Sequence, residues 1–162
     1  MKIKILIVVL FLNNIIFSQI DSEKKDIVYP KRESLKKIIE SHKGKVIYID
    51  YWASWCKPCR KEILIMKELK DEFKDKNISF IYISVEGDKN ECNDAIKKDG
   101  VIEENYLNYQ LINDTGYKEL DSIRVLPHYI IFNKEGELVN SDAPMPSQKN
   151  KLIKELDKYL AE

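Results

Sequence analysis

Apolar positions along this chain follow two rhythms. Val46-Ile47-Tyr48-Ile49-Asp50-Tyr51 and Ile78-Ser79-Phe80-Ile81-Tyr82-Ile83-Ser84-Val85 are near-continuous apolar runs of strand length, the pattern of strands covered on both faces. Between them Ile63, Met66, Leu69, Lys70 and Phe73 recur at helical spacing over about residues 59–74. Leu64 and Ile65 widen the apolar arc, as expected for a helix that covers a sheet. Strand, helix and strand in this order predict a right-handed βαβ unit with parallel strands.

Upstream, Leu35, Ile38 and Ile39 at i, i+3 and i+4 predict a short amphipathic helix over residues 34–40, closed by Gly44. Residues 19–33 are polar, with Pro30 as punctuation, and are expected to form an arm leading into the domain. Downstream, Asn90 to Lys98 predicts a helix, Tyr106 to Leu111 a short extra strand and Tyr117 to Ile123 another short helix. Tyr129-Ile130-Ile131-Phe132 is a strand, Asn133-Lys134-Glu135-Gly136 a turn, and Glu137-Leu138-Val139 pairs back as a hairpin. A last helix carries Leu152, Leu156 and Tyr159 on one stripe, with Ile153 and Leu160 beside them and Ser147 as its expected N-cap.

The first residues stand apart. Lys2 and Lys4 precede an apolar run from Ile5 to Leu12, and Ile15-Ile16-Phe17-Ser18 follows. A basic start, a short apolar stretch and a small residue predict a secretory signal peptide over residues 1–18. An uncleaved N-terminal anchor is the alternative, although the run is shorter than the ~20 residues of a spanning helix. No cysteine follows the run, which argues against a lipoprotein. The remaining chain is organised as the arm, 19–33, and one domain, 34–162.

Composition adds little direction. The 162 residues are 44% hydrophobic and 33% charged, with 27 basic and 27 acidic side chains, as in a single soluble domain. Removing Lys2 and Lys4 with residues 1–18 leaves 25 basic and 27 acidic residues, a balance of −2. With no basic stripe, nucleic acid is not an expected partner, and membrane contact is expected only through the signal or anchor segment.

The three cysteines carry the chemistry. Cys56 and Cys59 are two residues apart where the first strand passes into the main helix. That spacing places both sulfurs within one turn, close enough to form a disulfide. Cys56 falls at the helix N-terminus, where unpaired N–H groups favour a thiolate, and Pro58 suits the first turn. Lys57 adds a nearby positive charge. A zinc site would need two more ligands, and Cys92, His42 and His128 offer no second closely spaced pair. No metal and no cofactor are expected. A purely structural disulfide closing so short a loop would remove little chain entropy. Cys92 remains as a spare, sheltered thiol. Asp50, in the middle of a buried strand, is costly unless paired or protonated, so its proton affinity should rise.

The segment Trp52-Ala53-Ser54-Trp55-Cys56-Lys57-Pro58-Cys59, preceded by Ile49-Asp50-Tyr51, resembles the thioredoxin superfamily. Over residues 30–160 the chain is similar to its exported TlpA/ResA-like branch. The resemblance implies an α/β thioredoxin-like fold: a central mixed sheet flanked by helices, with an insertion between the βαβ unit and a cis-proline hairpin. It implies that Cys56 attacks, Cys59 resolves, Asp50 matches the family's buried aspartate and Glu62 the active-site glutamate of ResA-like proteins. Pro127 matches the cis-proline, and the backbone at Leu126 would pair with an extended substrate. Trp55, Lys57 and Pro58 would line the docking surface, Trp52 a core wall, and His128 the strand beside the site.

The resemblance implies reduction of protein disulfides in the periplasm or cell envelope, in cytochrome c maturation or a related envelope pathway, with electrons from a membrane thiol carrier of the DsbD/CcdA type. A disulfide oxidant or isomerase using the same pair, and a non-catalytic binding module, are the alternatives. A peroxidase is disfavoured because no Thr-x-x-Cys loop is present.

Overall fold

A computed structural model describes residues 31–86, 91, 92, 94–96, 107–111, 123 and 125–162. In chain order the elements are β1 (Lys31–Glu33), α1 (Leu35–Ser41), β2 (Val46–Trp52), α2 (Lys57–Lys70), a 3-10 turn (Asp71–Phe73), β3 (Ile78–Ser84), β4 (Leu107–Leu111), β5 (His128–Phe132), β6 (Leu138–Asn140), a second 3-10 turn (Pro146–Gln148) and α3 (Lys149–Ala161). The strands form one mixed sheet in the order β1-β4-β3-β2-β5-β6.

β2 lies inside the sheet, and all seven of its residues are buried. It runs parallel to β3 over its whole length, from Val46 opposite Ile78 to Trp52 opposite Ser84. On its other side it is antiparallel to β5, from Ile47 opposite Phe132 to Tyr51 opposite His128. Successive side chains of a strand point to opposite faces, so β2 feeds two cores. Val46, Tyr48 and Trp52 pack with Ile63, Met66, Leu69 and Phe73 and with Leu152, Leu156 and Tyr159 of α3. Ile47, Ile49 and Tyr51 pack with Leu35, Ile38 and Ile39 of α1. Each such side chain contributes roughly 1.5–3 kcal/mol when taken from water. Double coverage explains why the run shows no alternation of apolar and polar residues.

Several expectations need correction. Residues 31–33, within the expected arm, form an edge strand parallel to β4, with Lys31 opposite Tyr109. Three charged residues carry no strand signal of their own; backbone pairing makes the strand. Ser147 does not cap α3. The chain enters that helix through the 3-10 turn, Gln148 holds the cap position, and no side chain caps it. Leu64 is 48% exposed, so the covering face of α2 is narrower than the arc read from spacing. Lys70, counted on that face, keeps its ammonium 4.8 Å from the centre of the Tyr82 ring and 5.7 Å from that of Phe80. Residues 91, 92 and 94–96 are helical, and 107–111 form the extra strand. The helix expected over 117–123 falls outside the described residues except for Ile123, which has no regular structure. Among the described residues no helix is long and apolar enough to cross a membrane.

Two glycines test the packing of the end away from the cysteines. Gly44 and Gly136 have φ of +87° and +83°, and the Gly44 N–H donates to the Lys134 carbonyl at 2.8 Å, joining their two turns. A Cβ on Gly136 would lie 2.9 Å from Cγ2 of Ile39, whereas one on Gly44 meets nothing within 4 Å. Gly44→Ala should cost about 1–2 kcal/mol from conformation alone, and Gly136→Ala a further ~1 kcal/mol or more from overpacking. Urea unfolding of both variants reads the difference; equal midpoints would show that Ile39 yields freely.

Candidate functional site

The cysteines sit where β2 hands over to α2. Cys56 is the N-cap of α2, and its Sγ accepts the Cys59 N–H at 3.2 Å, one of the donors a helix start leaves without a backbone partner. The two are joined as a disulfide with Cα atoms 5.3 Å apart. Cys56 retains 4% exposure and Cys59 none. Both cysteines are thus buried, and Cys56 is the one that keeps a little exposure. Pro58 lies in the first turn, which contains no acidic residue, and Lys57 is exposed.

The loop before Cys56 is held from behind. The Cys56 N–H donates to the Ala53 carbonyl at 3.0 Å, and the Val85 N–H to the Trp52 carbonyl at 3.0 Å. Glu86, just past β3, is buried. Its Oε1 accepts the Ser54 N–H at 2.7 Å and also the Ser54 hydroxyl, while its Oε2 accepts the Ser84 hydroxyl at 3.4 Å. Arg60 donates from Nη1 to the Ser54 carbonyl at 3.4 Å. Neither Ser54 nor Glu86 stood out in sequence. The available signal was position: an acid just beyond the carboxyl end of a parallel strand, where α/β sheets place their sites.

The Leu126–Pro127 peptide bond is cis. Pro127 immediately precedes β5, whose first residue, His128, lies opposite Tyr51 of β2. Register thus brings the proline to the same end of the sheet as Trp52 and the cysteines. Leu126 is half-buried, Trp55 is 68% exposed and Trp52 is buried in the core. Trp55 therefore stands at the rim with most of its surface in solvent. His128 shares a hydrogen bond between Nε2 and the Ser141 carbonyl at 2.8 Å.

Asp50, two residues before the end of β2, is 2% exposed. Its neighbours across the ladders are Tyr82 and Tyr129. Among the described residues neither carboxylate oxygen has a hydrogen-bond partner, nor has the Tyr129 hydroxyl. Burial pushes the Asp50 carboxyl well above its ordinary value, the charge of Glu62 raises it further, and Lys70 opposes both. Burial also raises the Tyr48 and Tyr129 phenols, and Asp50 adds to each. Glu62 is half-buried rather than a solvated helix acid: its Oε2 accepts the Ser147 N–H at 2.8 Å. Cys92 is a buried thiol in the same core cluster as the cysteine pair.

A dithiol that closes within one turn, capping the helix that follows a doubly buried strand and lying at the same sheet end as a cis-proline, defines a redox-pair protein of the thioredoxin fold. Residues 44–138 match the family model described as Thioredoxin-like, and the chain belongs to that family. A relative called thiol-disulfide oxidoreductase ResA, from Bacillus thuringiensis (strain Al Hakam), is 30% identical over 123 residues, covering 75% of this chain and 68% of the relative. ResA of Bacillus subtilis (strain 168) is 30% identical over 99 residues, covering 60% of this chain and 52% of its own. The solved thioredoxin domain of a thiol-disulfide oxidoreductase from Bacteroides vulgatus superposes with a TM-score of 0.59 at 26% identity, over 75% of this chain and 83% of that one.

Asp50 yields a stability test. Its folded proton affinity lies above the unfolded one, so the folded state holds the proton more tightly. Stability must then fall as pH rises from the ordinary 3.8 through the raised folded value. Asp50→Asn lacks that loss. At pH 4 and below it should differ little from the wild type; at pH 8 to 9 it should be more stable, on the order of 1–3 kcal/mol. Denaturant titrations of the oxidised proteins across this range decide it, and parallel stability curves would show that Asp50 is not ionised at a cost.

Proposed function

We propose that this chain is an exported thiol-disulfide oxidoreductase that reduces disulfides of other proteins in the cell envelope. The observation that carries the proposal is the Cys56–Cys59 disulfide at the head of α2, with Cys56 4% exposed and Cys59 fully buried. In the reduced protein the Cys56 thiolate attacks one sulfur of a substrate disulfide, and the other substrate sulfur leaves as a thiolate. Cys59 loses its proton and attacks Cys56, the second substrate thiolate leaves, and the Cys56–Cys59 bond forms. Two electrons have passed to the substrate. A membrane dithiol carrier of the DsbD/CcdA type restores the pair.

Asp50 and Glu62 are the proton acceptors for Cys59 in this scheme. A buried carboxyl whose proton affinity is raised is suited to take a proton near neutral pH. The substrate segment lies along Leu126 and Pro127, with Trp55, Lys57 and Pro58 around Cys56. Residues 1–18 export the chain or anchor it, residues 19–30 connect, and the redox domain starts at the edge strand Lys31–Glu33. Cytochrome c maturation is an envelope pathway that needs such a reductase. The direction of exchange follows from the potential of the pair, about 30 mV being worth about 1.4 kcal/mol.

Cys59→Ser should accumulate a mixed disulfide through Cys56, seen on non-reducing gels, and Cys56→Ser should not. Equal trapping by both variants would reverse the assignment of attacking and resolving sulfur. Equilibration of the wild type with dithiothreitol should give a potential near the thioredoxin end, about −270 mV, whereas a value near −120 mV would mark a disulfide donor. Asp50→Asn and Glu62→Gln should each slow resolution at pH 7 by roughly tenfold or more; unchanged rates in both would remove them from the proton path.

A further inference from the structure

Cys56 ends a turn that is closed by one hydrogen bond of its own. The Cys56 N–H donates to the Ala53 carbonyl at 3.0 Å, so Ala53 to Cys56 form a β-turn with Ser54 and Trp55 at its centre. That bond leaves the N–H, hydroxyl and carbonyl of Ser54 to find partners outside the turn. Glu86 takes the first two: its Oε1 accepts the Ser54 N–H at 2.7 Å and the Ser54 hydroxyl as well. Arg60 Nη1 donates to the third at 3.4 Å. Glu86 is itself held, because its N–H donates to the Ser84 hydroxyl at 3.3 Å and its Oε2 accepts from that hydroxyl at 3.4 Å. Ser84 ends β3, opposite Trp52 of β2.

The oxidised and reduced proteins depend on this anchor to different degrees. In the oxidised protein the disulfide ties Cys56 covalently to Cys59. Reduction removes that tie. Cys56 is then placed by the turn, by the Arg60 N–H that donates to its carbonyl at 3.2 Å, and by the Cys59 N–H that its sulfur accepts. The last of these favours a thiolate at the head of α2, and it lasts only while the turn keeps the sulfur over the helix end. A single hydrogen bond contributes about 1 kcal/mol net. Glu86 adds two more contacts to the turn, from the end of a strand that the sheet holds in place.

We infer that Glu86, acting through Ser54, is a positioning residue for thiol-disulfide exchange: it holds the reduced Cys56 thiolate at the head of α2. The inference rests on the exchange chemistry proposed above and adds the residue that keeps the attacking sulfur in place once the disulfide is open. Because Glu86 is buried, it acts through Ser54 and not on the substrate. Hydrogen bonding rather than charge does the holding, since a neutral amide oxygen in place of Oε1 would accept the same two donors.

The test follows reduced full-length protein in two ways. One is alkylation of Cys56 by iodoacetamide, read at that residue by peptide mass spectrometry. The other is conversion of oxidised glutathione to two molecules of its thiol as Cys56 and Cys59 form their disulfide. At about pH 7 Glu86→Ala should slow both by roughly tenfold and Ser54→Ala by roughly threefold, while Glu86→Gln should keep most of the wild-type rate. Ser54→Ala should add little in the Glu86→Ala background. The slowing of alkylation should shrink toward about pH 9, where the thiolate forms without help. Gly136→Ala, destabilised at the end away from the cysteines, should alkylate like the wild type. Wild-type alkylation in Glu86→Ala, or equal slowing by Glu86→Gln or by Gly136→Ala, would overturn the inference. Should Glu86→Ala not fold, Ser54→Ala decides, and a wild-type rate there overturns it. If the wild type reduces no glutathione disulfide while Cys56 alkylation follows the expected order, the reductase proposal falls and the placement of Cys56 by Glu86 stands.

Discussion

The backbone ladders on both edges of β2 are the constraint on which everything else depends. Because β3 and β5 take up its hydrogen bonds on either side, β2 has no freedom to slide, and a one-residue slip would exchange its two faces. Val46, Tyr48 and Trp52 would then leave the α2–α3 core for the α1 core. Holding the strand in register delivers its end, and therefore Cys56, to a fixed point at the head of α2. The thiol then serves as the helix cap that serine or aspartate would otherwise provide. One atom has two structural duties: the sulfur that accepts the Cys59 N–H also forms the disulfide with Cys59.

The same rigidity makes Asp50 expensive. An apolar residue at that point in β2 would fill the core with no desolvation cost, and nothing in the ladder demands a carboxylate. It is instead enclosed between Tyr82 and Tyr129, with no hydrogen bond to either oxygen among the described residues. Destabilising groups retained in a core are commonly found where chemistry uses them. Glu62 and Lys70 act on the carboxyl from α2 with opposite sign, so the helix that carries Cys59 also adjusts the buried acid of β2. Glu86 makes a different use of burial. Its oxygens are satisfied by Ser54 and Ser84, and its role is to fix the loop leading to Cys56.

Much of the fold was legible because its strongest signals are local. β2, α2, β3, β5 and α3 follow from apolar spacing alone, and the cysteine spacing places a redox pair at a strand-to-helix junction. β1 was illegible because Lys31, Arg32 and Glu33 have no apolar pattern, and an edge strand needs only backbone partners. Ser147 does not cap α3 because it lies inside the 3-10 turn that leads into the helix, a turn that residue type does not announce. Leu64 was assigned to the covering face because spacing reports an arc of apolar residues without saying how much of that arc a sheet reaches. Glu86 and Ser54 are 32 residues apart, and neither residue type nor spacing links them.

The chain by itself determined the class of fold, the redox pair and the burial of Asp50, since each depends on residues close in sequence or on periodicity that only a sheet and a covering helix satisfy. Tertiary structure decided how deeply each cysteine is buried, that Glu62 is tethered to the turn before α3, that Glu86 holds the loop before Cys56, and that Lys57, Arg60, Lys61 and Leu64 share a cleft. These depend on contacts between segments far apart in the chain, or on which part of a helix face its neighbours leave uncovered. Such contacts arise only when the packed sheet and helices bring those segments together.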